Sequence, residues 1–268
     1  MTQKHQLVVD SLSAGYGDKT ILEDITLKIA PGQITSIIGA NACGKSTLLR
    51  TMSRLLTPSK GQVLLDGKSI HKSPTRQLAQ TLGLLPQSPT APEGITVGDL
   101  VSRGRYPHQR LMSRWSKADD EAVAKALETT QTTELLEKDV DELSGGQRQR
   151  VWIAMALAQE TEILLLDEPT TFLDVAHQIE VLDLLVDLNK SRGTTIVLVL
   201  HDLNLAARYS DQLIAMQQGR VFTYGTATEV ITEATIHTVF GLNNQVITDP
   251  ISETPMVLPI GRHKRSTP

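Results

Sequence analysis

The segment Gly39-Ala40-Asn41-Ala42-Cys43-Gly44-Lys45-Ser46-Thr47 constrains the fold more than any other stretch of the chain. It fits G-x-x-x-x-G-K-[ST] at every required position, a pattern that works only where a strand runs into a loop and the loop opens a helix. Both flanks agree: Gln33 to Ile38 reads as a buried strand, and Thr47 to Leu56 carries apolar residues at helical spacing. Gly39 and Gly44 allow a tight turn with no Cβ in the way, so successive N–H groups can point at phosphate oxygens from a helix N-terminus. Lys45 adds a mobile positive charge for terminal phosphates. Ser46 adds a hydroxyl able to ligate Mg2+, a hard cation that prefers oxygen. Alone, the loop says only that a nucleoside triphosphate is bound.

The 268 residues suffice for one large domain or two smaller ones with a substantial core. A formal net charge of −4 gives no general attraction to polyanions, so nucleic acid is not an expected partner. The single cysteine cannot form an intrachain disulfide, and Met1 to Asp10 lacks the basic-then-apolar layout of a secretion signal, so a cytosolic location is expected. Apolar runs such as Ile163 to Leu166 and Ile196 to Leu200 fall far short of the about 20 residues that span a bilayer. Any membrane role would come through a partner.

Leu7 to Leu12 and Ile25 to Ile29 alternate apolar and polar residues around the turn-rich Ala14 to Asp18, which predicts a small antiparallel layer ahead of the loop. Tyr16 sits among glycines, where ordinary packing and stacking on an adenine ring stand even. Val63 to Leu65 with Asp66-Gly67 reads as a strand and tight turn. Leu82 to Leu85 reads as a short buried strand that puts Gln87 at a strand end, where ligands bind in open α/β sheets; a merely solvated glutamine is the plainer alternative.

Ser88 to Gly94 holds Pro89 and Pro92, and about seventy residues without a clear strand pattern follow, which marks a domain boundary. Within them Thr96 to Ser102 and Lys117 to Thr130 look helical, the second with a narrow stripe of Ala122, Ala126 and Leu127. Between these lies Arg103-Gly104-Arg105-Tyr106-Pro107-His108-Gln109-Arg110, then Arg114 and Trp115. A segment so basic, aromatic and broken by proline is expected to be exposed, as a solvated loop or as a docking surface.

Leu143-Ser144-Gly145-Gly146-Gln147 opens a predicted helix over Arg148 to Ala158, with Val151, Met155 and Ala158 on its apolar face. Such a start can present N–H groups to an anion, or Ser144 can be an ordinary N-cap. Ile163 to Leu166 is a continuous apolar run, the pattern of a strand buried on both faces, and it ends in Asp167-Glu168. Alternation sends the two carboxylates to different sides and different tasks: Asp167 to a Mg2+ shell, Glu168 to the attacking water. Val175 to Asn189 reads as a helix closed at Gly193, and Thr194 to Leu200 as a buried strand with His201 at its end. Sharing a strand-end position with Gln87 and Asp167 favours a His201 that reaches the γ-phosphate over a solvated one. A hairpin about Gln217-Gln218-Gly219, two short helices within Glu229 to Phe240, and a frayed tail at Arg262, His263, Lys264 and Arg265 complete the reading.

Tyr16, Gly39 to Thr47, Gln87, Leu143 to Gln147, Ile163 to Glu168, Asp174 and His201 stand in the order and approximate spacing of the ATP-binding-cassette (ABC) ATPases, which the chain resembles from residue 5 to 240. In that family they are the A-loop, Walker A, Q-loop, signature, Walker B with its catalytic glutamate, D-loop and switch histidine. The resemblance implies an α/β fold: a P-loop NTPase core of the ABC type, a mixed sheet flanked by helices with an N-terminal antiparallel β layer, and an inserted helical subdomain. The core is expected over 1–87 and 160–240, the helical subdomain over 88–159, and a C-terminal extension with a flexible end over 241–268.

Arg103 to Gln109, Glu168-Pro169-Thr170-Thr171-Phe172-Leu173-Asp174 and Leu200-His201-Asp202-Leu203-Asn204 narrow the likeness to importer ATPases of iron–siderophore uptake, close to those for ferric enterobactin, ferrichrome and ferric citrate. That implies an ATP-hydrolysing subunit at the cytoplasmic face of the membrane. Its partners would be a second copy in an ATP sandwich, a permease docking near Arg103 to Arg114, and indirectly a periplasmic or surface binding protein. Cobalamin, haem or a divalent metal are alternative cargoes. A soluble regulatory or DNA-maintenance ATPase is a rival that usually carries coiled-coil insertions or a second cassette, and a phosphotransferase would leave Leu143 to Gln147 without a purpose.

The resemblance also implies the site. Gly39, Ala40, Asn41, Ala42, Cys43, Gly44, Lys45, Ser46 and Thr47 would cradle ATP, with Tyr16 on the adenine. Ser46, Gln87 and Asp167 would hold Mg2+ and its waters, Glu168 the nucleophilic water, and His201 the γ-phosphate. Ser144, Gly145, Gly146 and Gln147, with Asp174, would complete the site, Ser144 and Gly146 reaching the γ-phosphate of the opposite copy. Many relatives carry glycine where this chain has Ala42, so a negative φ is expected there. Cys43 lies at a helix N-terminus, which would favour its thiolate, and its alkylation is expected to block turnover with MgATP protecting.

Overall fold

The computed structural model describes residues 5–109, 115–171 and 173–261. Alternating burial makes β1 (Leu7–Tyr16) and β2 (Lys19–Lys28) antiparallel partners with Val9, Leu12 and Ile25 facing inward. Both strands outrun their apolar alternation, so the connection shrinks to Gly17-Asp18. β3 (Ile34–Gly39) is buried throughout and feeds α1 (Lys45–Met52). The helix begins at the lysine rather than at Thr47, because its first turn is built from the loop itself, and it stops at Ser53 short of Leu56. Arg54, in the left-handed region at φ 64°, ends it, with the guanidinium donating to the carbonyls of Ile70 and Ser73.

β4 (Lys60–Leu65) and β5 (Lys68–Ser69) meet at Asp66-Gly67, both left-handed, as a two-residue hairpin requires. There follow α2 (Thr75–Thr81), β6 (Leu82–Leu85), α3 (Val97–Ser102), α4 (Lys117–Thr129), α5 (Gly145–Ala158), β7 (Ile163–Leu166), α6 (Val175–Arg192) and β8 (Thr195–Val199). Then come α7 (Leu203–Tyr209), β9 (Gln212–Gln217), β10 (Arg220–Gly225), α8 (Ala227–Val230), α9 (Glu233–Phe240), β11 (Asn244–Thr248) and β12 (Pro255–Pro259).

The larger sheet runs β10-β9-β3-β8-β7-β6, parallel except for the β9–β10 hairpin at its edge, and the smaller runs β2-β1-β4-β5. Parallel strands covered on both faces explain the unbroken apolar runs. Ile37, Leu165, Val197 and Ile214 pack against α1 and the antiparallel layer, while their neighbours Ile38, Leu164, Leu198 and Leu213 pack against the helices of the opposite face. The parallel strands end together at Gly39, Leu85, Leu166 and Val199. Residues 40–44, Gln87, Asp167, Glu168 and His201 therefore gather on one edge, outside the carboxyl ends of the strands.

The segment 88–159 carries α3, α4 and α5, which bury Val97, Leu100, Val123, Leu127, Val151 and Trp152 among themselves and against the sheet's cluster. The basic stretch within it departs from expectation. Arg105 is buried: its Nε donates to Asp119 Oδ1 at 2.9 Å, and Nη1 donates to the Ala158 carbonyl and to Glu160 Oε2 at 2.7 and 2.8 Å. Gly104 lies so close to α5 that a Cβ would stand 2.2 Å from the Met155 carbonyl oxygen. Five guanidinium donors in a fork can satisfy carboxylates and a helix-end carbonyl together, so this arginine staples α4 to α5 instead of facing solvent. Tyr106 is exposed, and Arg110 to Arg114 lie outside the described residues.

Burial alone would raise the Asp119 carboxyl, but hydrogen bonds from Ser116 and Arg105 hold it below the ordinary value. A lowered carboxylate stabilises the fold above its unfolded value, and that contribution fades as pH falls through the folded one. Arg105→Ala strands the buried carboxylate and is expected to cost about 3–5 kcal/mol, read by urea unfolding at neutral pH, with the loss shrinking under acid.

The extension beyond 240 is structured at least to β12. β11 and β12 form a hairpin seated on α7, where Asn204 Oδ1 accepts from the Val257 N–H at 2.7 Å and Arg208 pairs with Asp249 at 2.6 Å. The predicted frayed tail, Arg262 to Arg265, lies outside the described residues.

Candidate functional site

A cleft of about 550 Å³ opens on the edge where the parallel strands end, and its walls include Tyr16, Asn41, Ala42, Gly44 to Thr47, Gln87, Glu168 and His201. Sequence-predicted residues from five separate stretches thus meet in one place. Lys19 and Ile21, which the sequence reading passed over, also line it; their only signal is their place on β2 just past the tyrosine turn. Tyr16 is half exposed on the rim and its hydroxyl accepts from Arg50 at 3.4 Å, so the ring belongs to the cleft and not to a core.

The loop geometry is set by close approach. A Cβ on Gly39 would fall 2.5 Å from the Met216 carbonyl oxygen, and one on Gly44, at φ 107°, would fall 2.7 Å from Leu22 Cδ2. Gly44 also supplies no side-chain cap, which leaves the first N–H groups of α1 free for an anion. Ala42 is in the left-handed region at φ 60°, not at the negative φ expected. The loop's path demands it, and the alanine accepts the strain. Ala42→Gly is expected to raise stability by up to about 1 kcal/mol with nucleotide affinity kept, as urea unfolding and a binding titration would read.

Cys43 corrects a second expectation. It is 6% exposed, and burial pushes its thiol above the ordinary value, only partly opposed by the nearby Lys45 charge. The side chain turns away from the cleft under Gly39, so the helix start does not make it a thiolate.

Lys45 is buried, with Nζ donating to the carbonyls of Gly39 and Ala40 at 2.9 and 3.1 Å. Ser46 Oγ donates to Asp167 Oδ1 at 2.9 Å. Burial pushes the Asp167 carboxyl above its ordinary value, the Ser46 hydrogen bond offsets part of this, and the Glu168 charge adds to it. A buried carboxylate beside a hydroxyl is an all-oxygen donor set that a hard divalent cation would relieve. That chemistry fits Mg2+.

Glu168 sits at φ 54°, a strained backbone for a glutamate at the end of a strand. Its Oε2 accepts from Gln87 Nε2 at 2.5 Å and from Thr171 Oγ1 at 3.1 Å, and its Oε1 lies 2.6 Å from His201 Nε2. Asp167 turns inward to Ser46 and Glu168 outward to the cleft; both lie past the end of β7, and the left-handed backbone at Glu168, not strand alternation, sets its direction. Thr171 escaped the sequence reading because its role depends on a tight turn after the strand.

Ser144 to Gln147 and Asp174 do not line the cleft. Ser144 caps α5: its Oγ accepts from the Gln147 N–H at 3.3 Å, and Gln147 Oε1 accepts from the Ser144 N–H at 3.2 Å, a reciprocal capping box. Asp174 caps α6 through the His177 N–H at 3.0 Å. Gly145 and Asp174 are exposed.

A glycine loop, a buried lysine and two strand-end carboxylates at the carboxyl edge of a parallel sheet define a P-loop nucleotide-binding protein. The ABC transporter family profile matches residues 22–171. Among curated relatives, the ferric enterobactin transport ATP-binding protein FepC of Escherichia coli strain K12 is 52% identical over 96% of this chain and 95% of its own length. The achromobactin transport ATP-binding protein CbrD of Dickeya dadantii strain 3937 is 53% identical over 94% of both. Among solved structures, a chain of an inward-facing ABC transporter assigned to the metal-chelate type superposes with a TM-score of 0.82 at 28% identity, over 96% of this chain and 98% of that one. The dimeric bacterial cassette MJ0796 gives 0.73 at 28% identity, over 82% and 98%. The chain belongs to the ABC transporter family and is an ATP-hydrolysing subunit of the family's type.

Proposed function

We propose that this chain powers the import of an iron–siderophore complex through a membrane permease, by closing with a second copy of itself around ATP. The observation that carries the shared site is that Ser144 to Gln147, a helix start of the kind that can meet phosphate, line no part of the chain's own cleft. Support for the cargo comes from FepC and CbrD, named for ferric enterobactin and achromobactin transport. Among the described residues no helix is long and apolar enough to cross a membrane; the membrane step is here assigned to a permease.

Lys45 and amides of the loop 40–46 bind the phosphates, with Tyr16 against the adenine. Ser46 and Asp167, with Gln87, would hold Mg2+, which would supply charge neutralisation on the phosphate oxygens. Glu168 orients and polarises the attacking water, and His201 hydrogen-bonds the γ-phosphate. Gln87 and His201 both hold Glu168 here, so nucleotide entry that draws them to phosphate frees the carboxylate for water. Ser144 and Gly146 of the second copy reach the same γ-phosphate, and Asp174 meets its loop. Residues 88–159 act as the helical subdomain against a core of 1–87 and 160–240, and the face around Tyr106 receives the permease. α2 braces that face, since Arg76 and Gln80 both donate to the Pro107 carbonyl at 2.8 Å.

Expression with a neighbouring permease, reconstitution in vesicles and addition of binding protein tests the reading. Ferric-siderophore-loaded binding protein is expected to raise ATP turnover several-fold over empty binding protein. Stimulation by cobalamin- or haem-loaded protein in its place would move the cargo, and absence of any permease complex would overturn the transport role.

A further inference from the structure

His177 stands between the two features that lie outside the cleft. Its Nδ1 is 2.7 Å from Asp174 Oδ1, which also accepts the His177 backbone N–H, and these two bonds hold the Asp174 carboxyl below its ordinary value. With Nδ1 committed to the carboxylate, the opposite edge of the imidazole is turned to α5. A Cβ built on Gly146 would fall 2.7 Å from His177 Cδ2 and 3.1 Å from its Nε2. The ring therefore rests directly on the Gly146 backbone, and a glycine at 146 is what admits it. Gly145 and Ser144 precede that contact in the capped first turn, and Asp174 is the cap of α6. One rigid ring thus spaces the start of α5 from the start of α6, two helices from separate stretches of the chain that bury their apolar faces in the same cluster.

We propose that His177 is a positioning residue for hydrolysis, locking Ser144 to Gly146 in register with Asp174 so that both meet the second copy's nucleotide together. It rests on the shared-site reading above. His177 lines no part of the ATP cleft, so its loss acts on closure and turnover and not on first capture of nucleotide. A general loss of structure would lower both.

The test uses the full chain and three variants: His177→Ala removes both contacts, His177→Phe keeps a ring on Gly146, and His177→Asn keeps a donor to Asp174. ATP affinity measured without Mg2+ is expected to stay within about twofold in all three, while kcat falls about tenfold in the alanine variant and less in the other two. An alanine variant with parent-like melting and kcat, or with kcat and affinity falling in proportion, overturns the proposal. If that variant does not fold, unchanged kcat in both Phe and Asn variants overturns it equally. Parent chain that turns over ATP at full rate while remaining a monomer by size exclusion in ATP would instead sink the shared-site reading, independently of the variants.

Discussion

Glu168→Gln is expected to lower ATP turnover by about 10²–10⁴-fold while the chain still binds ATP and accumulates as a closed pair. The substitution keeps the shape of the side chain, and an amide can still meet Thr171, Gln87 and His201 by rotating. What it removes is the carboxylate proposed above to polarise the attacking water. Phosphate release and size-exclusion in ATP read the two halves of the expectation. Turnover near that of the parent would show that another group, with His201 the nearest candidate, activates the water.

Lys45→Met is the second large effect expected. Lys45 is buried, and its Nζ is bound to two loop carbonyls, so the charge is held ready beside the phosphate path. Methionine keeps the packed stem but removes the cation, and charged hydrogen bonds of this kind contribute about 1.5–3 kcal/mol each. ATP affinity is expected to fall by roughly 10- to 100-fold and turnover to become undetectable, with melting little changed. Calorimetric titration with ATP measures the first and a phosphate assay the second. Parent-like affinity would mean that the amides of α1 hold the phosphates unaided.

What could be read in the sequence was whatever depends on local pattern. The strand, glycine loop and helix at Gly39 to Thr47 follow from period and glycine spacing, and the β9–β10 hairpin from its turn residues. Strand-end placement brought Gln87, Asp167, Glu168 and His201 together because parallel topology forces their ends to one edge. What escaped depends on approach across the fold. Arg105 reads as a surface arginine until Asp119, Glu160 and the Ala158 carbonyl converge on it. Cys43 reads as an activated thiol until burial outweighs the helix start. Ala42 carries a backbone conformation that side-chain chemistry does not announce. Thr171 and His177 are ordinary polar residues in a turn and a first helical turn, and only contact with Glu168 and Gly146 gives them a task.

In the proposed shared site each nucleotide is hydrolysed between the loop of one copy and Ser144 to Gln147 of the other. Mixing two inactive chains tests it most directly: Lys45→Met, dead in its loop, and Ser144→Arg, which keeps its own cleft and binds ATP. A mixed pair holds one site made of the intact loop of the second chain and the intact Ser144 start of the first. Random pairing should then restore about a quarter of the parent's turnover from components that have none. A mixture as inactive as either chain alone, or a Ser144→Arg chain that hydrolyses ATP by itself, would contradict the shared site.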